Sequence, residues 1–396
     1  MNVTTPGTES PRREGFFHRL YTGTGAFDIV GKRTRWYVVL GLIVLVCLGS
    51  IGFKGFNFGI DFVGGTKIQM PAVGASGPIE SRAVEDAYRQ ALGNSPDAVQ
   101  IVGSGDSQSI QIRSESLTSQ EVAQVKQELF DQLQPLNAQG QPSIETISDS
   151  AVSGTWGDEI TRQAVIALVV FLALVSVFLA FYFEKWMAVA AIIALLHDVV
   201  VTAGVYSLVG FEVSPATVIG LLTILGFSLY DTVVVFDKVK ENTRGLLSFS
   251  RRTYPEAANL AVNQTLMRSI NTSIIALLPV LGLLVIGAGM LGVGVLRDLA
   301  LVQMVGMIAG VISSILLATP LLVDFKMRDP KYREHAKKVE QRRKQTQEKN
   351  EQVQADSERD SVAAQAGARP AQRGAQRRRA GQPASKSARP TGKRRR

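Results

Sequence analysis

Six long apolar runs leave this chain few ways to fold. They are Trp36–Phe53, Ala164–Phe183, Met187–Val209, Pro215–Phe236, Ile270–Leu291 and Leu299–Val323. Each reaches the roughly 18 residues at which a helix crosses the hydrocarbon core of a bilayer. A soluble core buries one or two such helices. Six predict a helical membrane protein, because a backbone in lipid has to satisfy its own hydrogen bonds. The last five runs form one block, with short links and one longer loop over 237–269, in which "TYPEAANLAVNQTLMRS" reads as a helix after Pro255 that runs into the fifth span. Charged residues make up only 19% of the 396 residues, which is low for a soluble protein of this length.

Charge is distributed along the chain in a way that sets its orientation. The net charge is +9, but from Lys331 onward 20 Lys and Arg face 7 Asp and Glu, a surplus of +13, so the remainder carries 9 minus 13, or −4. Basic residues flank the spans at Lys32, Arg33 and Arg35, at Lys238, Lys240, Arg244, Arg251 and Arg252, and at Lys326 and Arg328. All three groups fall on one side if the spans alternate, and the basic side is cytoplasmic. The residues over 54–163 then lie outside, and they are acidic, with 14 Asp and Glu against 7 Lys and Arg. The expected organisation is a cytoplasmic segment over 1–35, a first transmembrane helix over 36–53, and an extracytoplasmic domain over 54–163. A five-helix block over 164–325 and a basic, largely disordered cytoplasmic tail over 326–396, whose first part from Pro330 to about Gln354 extends a helix, complete it. The polar, basic start of the chain reads as no cleaved signal peptide.

The outside segment is long enough for a small core of its own. Gly65–Gln69 is a strand, and Glu80–Leu92 spaces Val84, Ala87, Tyr88 and Ala91 as a helix does. "VQIVG" and "SIQIR" alternate around "SGDSQ" as a hairpin. Thr118 and Glu121 form a capping-box pattern before a helix over Val122–Leu133, and "SIETIS" is a closing strand. This βαββαβ order predicts a ferredoxin-like sandwich. It contains no nucleophile, acid–base pair or phosphate loop, so a binding or moving part is expected rather than an enzyme. Cys47 is the single cysteine and reads as a small hydrophobe, and His18, His197 and His335 are scattered, so neither a metal site nor a cofactor is expected.

Polar residues inside the spans point to function. Asp231 lies in "GFSLYDTVVVFDKVKEN" (Gly226–Asn242), about 7–8 Å from the end of its apolar run at 1.5 Å per residue. An aspartate at a span centre costs roughly 2.5–3.5 kcal/mol to insert, and less toward an end. Asp231 therefore either reaches headgroup water or faces a polar interior; Ser228 and Thr232 favour the interior. Asp237 is a boundary charge. Asp198 is the twelfth residue of its run, close to mid-membrane, with Thr202 one turn along. It is either a structural carboxylate paired with a donor from another span or part of a proton relay. His197 points about 100° away from Asp198 and reads as a packed or interfacial histidine. Arg268 either snorkels to the interface or, with Asn271 and Thr272, begins a polar stripe that faces Asp231. Gly306 and Gly310, with Gly220 and Gly226, suit close helix packing. Gly59, Gly64 and Gly65 in "GIDFVGG" suit a sharp turn from membrane to domain.

Several stretches in this order resemble the SecF family, the smaller partner in the bacterial SecD–SecF translocase. They are "FDIVGKRTRW" (Phe27–Trp36), "GIDFVGGT" (Gly59–Thr66), "LLHDVVVTAGVYSL" (Leu195–Leu208), "GFSLYDTVVVFDKVKENTR" (Gly226–Arg244) and "NQTLMRSINTS" (Asn263–Ser273). The resemblance covers about 20–325 and excludes the Arg-rich tail. It implies the architecture of the resistance–nodulation–division superfamily, in the cell membrane. It implies a role in export, driven by the proton-motive force, that assists unfolded exported proteins after SecA. The partners it implies are SecD, the SecY–SecE–SecG channel and YajC. The family's proton-pathway residues fall on Asp231 and Arg268. Two other functions stay open: a proton-coupled small-molecule or lipid exporter subunit of the same superfamily, and a passive scaffold whose tail recruits ribosomes or anionic lipid.

The charge pattern gives a first prediction. Single cysteines at Ser104 and at Ser248, in a Cys47→Ser background, are expected to react with an impermeant thiol reagent from opposite faces of the membrane. Labelling from one face overturns the six-span arrangement.

Overall fold

The computed structural model describes residues 27–103, 105, 108–249, 251–290 and 294–367. Most of the expected N-terminal segment, Ser104 and the tail beyond Gly367 lie outside the described residues. Helix α1 (Arg33–Lys54) leads through strand β1 (Asn57–Phe58) and a single helical turn, α2 (Ile60–Val63), into the domain. There follow β2 (Gly65–Pro71), α3 (Ser81–Leu92), β3 (Ala98–Val102), β4 (Ser109–Ser114), α4 (Ser119–Leu133) and β5 (Ser148–Val152). The chain then runs through α5 (Gly154–Tyr182), α6 (Lys185–Val209), β6 (Glu212–Val213), α7 (Pro215–Asn242) and α8 (Tyr254–Gly282). A π-helical stretch over Leu283–Met290 precedes α9 (Gly294–Ser313), and a second over Ser314–Ala318 joins α9 to α10 (Thr319–Met327). Helix α11 (Pro330–Gly367) comes last. Among the described residues six helical segments are long and apolar enough to cross a membrane.

The domain is a four-stranded antiparallel sheet in the order β3-β4-β2-β5, with α3 and α4 packed on it. Side chains alternate across a strand. Ile68 and Met70 of β2 and Ile110 and Ile112 of β4 are therefore buried together against Val84, Tyr88, Val125 and Leu129 of the helices. The same alternation puts Gln69, Gln111 and Arg113 on the other face, where the Gln111 amide donates to Gln69 Oε1 at 3.3 Å. Thr118 and Glu121 cap α4 reciprocally. The closing strand starts later than "SIETIS" suggests: Ile144–Thr146 is a 3-10 turn capped by Ser143, and pairing with β2 begins at Ser148.

The polar sheet face is bound to the helical block. Strands β1 and β6 pair in parallel, Asn57 opposite Glu212 and Phe58 opposite Val213, and Gly59 N–H adds a bond to Val213 O at 2.9 Å. Arg113 of the sheet donates to Phe58 O at 2.8 Å and to Asn57 Oδ1 at 2.7 Å. At the end of α1, Lys54 Nζ donates to Leu208 O at 2.8 Å. The outgoing end of α1, the returning end of α6 and the domain are thus joined at one clip.

The glycines of "GIDFVGG" allow the turn. Gly64 has φ 78° and ψ 173°, and Gly65 has φ 132°, conformations essentially closed to residues with a side chain. A Cβ on Gly64 would also stand 2.8 Å from the Cα of Gly154, the first residue of α5. The chain therefore enters and leaves the domain in contact with itself.

In the block, α6 and α10 with α9 hold the centre. Half or more of the most apolar stretch is buried there, 56% for Lys185–Val209 and 50% for Gly294–Met327, against 6% for Gly154–Tyr182. Small residues set this arrangement. Ala190, Ala191 and Ala194 are fully buried on α6, and Gly204 of α6 packs against buried Cys47 of α1. Gly306 packs on Ile224, Gly310 on Ser228 and Gly220 on Val302, which brings α7 and α9 close; Gly226 faces open space.

Helices run past their apolar runs. Helix α5, capped by Ser153, begins ten residues before the expected span, and Gln163 bonds Glu159 within the added part at 2.8 Å. Within the loop over 237–269, α7 continues to Asn242, and the helix expected after Pro255 is the start of α8, capped by a Thr253–Glu256 box and continuous from Tyr254 into the fifth span. Hydropathy marks where lipid begins, and helical hydrogen bonding extends beyond it.

Gly64→Ala is expected to cost about 1–3 kcal/mol, the usual range for a side chain forced into such backbone. Gly226→Ala, in open helical space, should cost nothing. Thermal midpoints of the detergent-solubilised protein test this, and equal midpoints for the two variants refute it.

Candidate functional site

Four helical segments bring hydroxyl and carboxyl groups together inside the block. Asp198 of α6 is 1% exposed. Its Oδ2 accepts from Ser228 Oγ of α7 and from Ser313 Oγ of α9, the latter at 2.9 Å. His197 Nδ1 lies 3.1 Å from its Oδ1. Beside this cluster, Thr232 and Ser314 hydroxyls meet at 2.9 Å, and Ser314 Oγ also donates to Ser228 O at 3.4 Å. The π-helical stretch begins at Ser314. An inserted residue of this kind re-aims the side chains around it, and here consecutive serines, Ser313 and Ser314, reach different partners.

Asp231 occupies the adjoining position. It is 6% exposed, and Ser273 Oγ of α8 donates to its Oδ2 at the long distance of 3.5 Å. The Ser273 hydroxyl is also committed to Ser269 O at 2.7 Å. Asp231 lines a cavity of about 20 Å³ with Phe227, Ser228, Tyr230, Thr272 and Ser273, about enough for one water. Among the described residues no cation lies within 4.0 Å of Asp231, and only the imidazole of His197 does so for Asp198. No group of His, Cys, Asp and Glu among the described residues could hold a metal.

Three expectations need correction. Arg268 does not meet Asp231: it is exposed and donates from Nη2 to Tyr230 Oη at 3.4 Å. The stripe it was expected to begin is divided, for Asn271 is exposed while Thr272 lines the cavity. The α8 face that turns inward carries Ser269 and Ser273, four residues apart, and Arg268 lies 140° of helical rotation from Ser273. His197 is not separate from Asp198, because two side chains 100° apart at the backbone can still bend toward each other at their tips. Asp237 is exposed, taking a bond from Tyr182 Oη at 3.4 Å. Sequence reasoning missed Ser273, Ser313 and Ser314. Their one signal is a hydroxyl at helical spacing within an apolar run, which ordinary packing serines share.

Comparison with known proteins adds independent information. The family described as "Protein export membrane protein SecD/SecF, C-terminal" matches residues 132–328, and that described as "SecD/SecF GG Motif" matches residues 49–74. The second match includes Gly59, Gly64 and Gly65. A protein translocase subunit SecF from Mycobacterium tuberculosis is 56% identical over 339 residues, covering 86% of this chain and 76% of the relative. The SecF of Streptomyces coelicolor is 42% identical over 321 residues, covering 81% and 82%. A crystal structure of SecDF, a translocon-associated membrane protein from Thermus, superimposes with a TM-score of 0.64 at 32% identity over 76% of this chain. This chain spans 38% of that protein's length.

Proposed function

We propose, on the premise that this chain belongs to the SecF family of protein translocase subunits, that it couples protein export to the proton-motive force through Asp231. Its place in export, as a multi-pass membrane component rather than a catalyst of a chemical reaction, comes with the family. The observation that supports the coupling is the setting of Asp231. Among the described residues no cation lies within 4.0 Å of this enclosed carboxyl group, and the water-sized cavity against it offers a place for a water that takes or gives its proton. A charge moved through 100 mV supplies about 2.3 kcal/mol, enough to change a two-state ratio more than tenfold.

The packing gives that energy a path. Asp231 is on α7, α7 is held to α9 through Gly306 and Gly310, and α6 ends in the clip that carries the domain. A change in how α7 sits against its neighbours therefore acts on the domain through β1, β6 and Arg113. In this reading the domain is a ferredoxin-like sandwich on the outside, a classification supported by its strand order. Arg268 works at the cavity rim through Tyr230.

SecD is the direct partner, in keeping with the fused SecDF of the solved relative. The wider assembly comprises the SecY–SecE–SecG channel and YajC, and it acts on unfolded exported proteins after SecA. Basic residues around Lys32, Lys240 and Lys326 support cytoplasmic termini in the cell membrane. The tail, with its surplus of +13, is a salt-sensitive attachment to anionic lipid or ribosomal RNA.

Asp231→Asn keeps the shape and removes the titration. In vesicles with equal protein levels it is expected to lose most of the stimulation of export by an imposed proton gradient, with ATP-driven export measured alongside as reference. Full stimulation in this variant overturns the assignment.

A further inference from the structure

We infer that His197 and Asp198 form a second proton-holding station, joined to Asp231 through the hydroxyl of Ser228. The inference rests on the reading that protons pass by Asp231, and adds a second carboxyl group and a relay between them. Ser228 stands between the two carboxyl groups. It lies one turn before Asp231 on α7, lines the same cavity of about 20 Å³, and donates its proton to Asp198 Oδ2. A hydroxyl group has one proton and two lone pairs. With its proton directed at Asp198, Ser228 Oγ can accept a bond from a water in the cavity.

The transfer balances on these atoms. Protonated Asp231 gives its proton to the cavity water as that water passes one of its own to Ser228 Oγ. The Ser228 proton moves in the same step to Asp198 Oδ2. Asp231 ends ionised, Asp198 ends protonated, and water and serine are regenerated.

Three further observations fit a station and not simply a buried structural group. His197 Nε2 is buried and has no hydrogen-bond partner among the described residues. Leaving such a group unpaired is costly, and a station that changes its proton count gains from a spare imidazole nitrogen. Thr202 Oγ1, one turn further along α6, is likewise buried and unpaired. It lines a second cavity, with Phe58 and Tyr206, on the side of the domain, so polar groups continue from Asp198 toward that end. The room for Ser228 is also specific: a Cβ on Gly310 would stand 2.9 Å from Ser228 Cβ and 3.2 Å from its Oγ.

Few groups compete. Those facing Asp198 are His197 from its own helix, Ser228 from α7 and Ser313 from α9; those facing Asp231 are Ser273 from α8 and the Tyr230 and Ser228 side chains of its own helix. Of these only His197 carries an imidazole.

The test uses inverted vesicles containing the full chain with SecD and the channel. Stimulation of export by an imposed proton gradient is read for Ser228→Ala, Asp198→Asn, the double variant and Asp231→Asn, all at equal levels and all checked for SecD co-purification. Each single variant is expected to lose stimulation at least tenfold. The double variant is expected to be no worse than either single one, because both interrupt one path. Ser228→Cys, which keeps a donor, should retain part of the stimulation, a rescue that packing alone would not produce. Gly310→Ala, which presses on the hydroxyl without removing it, should also reduce stimulation and serves if Ser228→Ala fails to assemble. Full stimulation in Ser228→Ala, or in Gly310→Ala where that arm is used, overturns the relay, as do single losses that multiply in the double variant. If Asp231→Asn fails while Ser228→Ala responds fully, only the relay is wrong. If Asp231→Asn responds fully, the underlying reading is wrong as well.

Discussion

A carboxylate inside a bundle of membrane helices has to find donors within the bundle, and the organisation of this protein follows from how that demand is met. Among the described residues the usual solution, a paired cation, is not used. Asp198 is satisfied by hydroxyls from two other spans and by its neighbouring imidazole. Hydroxyls are small and can reverse their direction. They hold a carboxyl group without fixing its charge, which an arginine in contact would tend to do. Asp231 is held more loosely, by one long bond from a serine already bonded elsewhere.

Such short donors work only if the helices come close. A serine reaches a neighbouring helix where glycine or alanine removes the bulk between them, and the contacts of Gly306 with Ile224 and Gly310 with Ser228 provide that. The same close packing makes the block stiff, since interiors packed this way shift between arrangements more readily than they deform. At the far end of α6 the stiffness meets the clip. Two parallel strand residues, Lys54 on Leu208 and Arg113 on the β1 backbone tie the domain to the helix that carries Asp198. Gly64 and Gly65 take the backbone conformations that this junction requires.

Much of this was legible in the sequence, and what was not has physical reasons. Span-length apolar runs, the capping box at Thr118 and Glu121, and the turn at Gly64 and Gly65 depend on local chemistry, which sequence records directly. Asp198 and Asp231 stood out because charge in lipid is costly. The rotation of α8 was not legible. Arg268 dominates that segment by charge, yet Ser269 and Ser273 turn inward because the packed face of a helix is selected by its small residues as much as by its polar ones. Ser313 and Ser314 were hidden for the same reason, and their divergence depends on a π-helical stretch that no residue type announces. The contact between His197 and Asp198 depends on side-chain bending, which backbone periodicity does not describe.

The central claim is that Asp231 exchanges a proton within the membrane block. Difference infrared spectroscopy of the protein with SecD in membranes, recorded across a pH step, observes this directly, because a protonated carboxyl group has a C=O stretch that its ionised form lacks. A carboxyl band is expected that grows on acidification, shifts in deuterated water and is absent from Asp231→Asn. A spectrum unchanged by that substitution would contradict it.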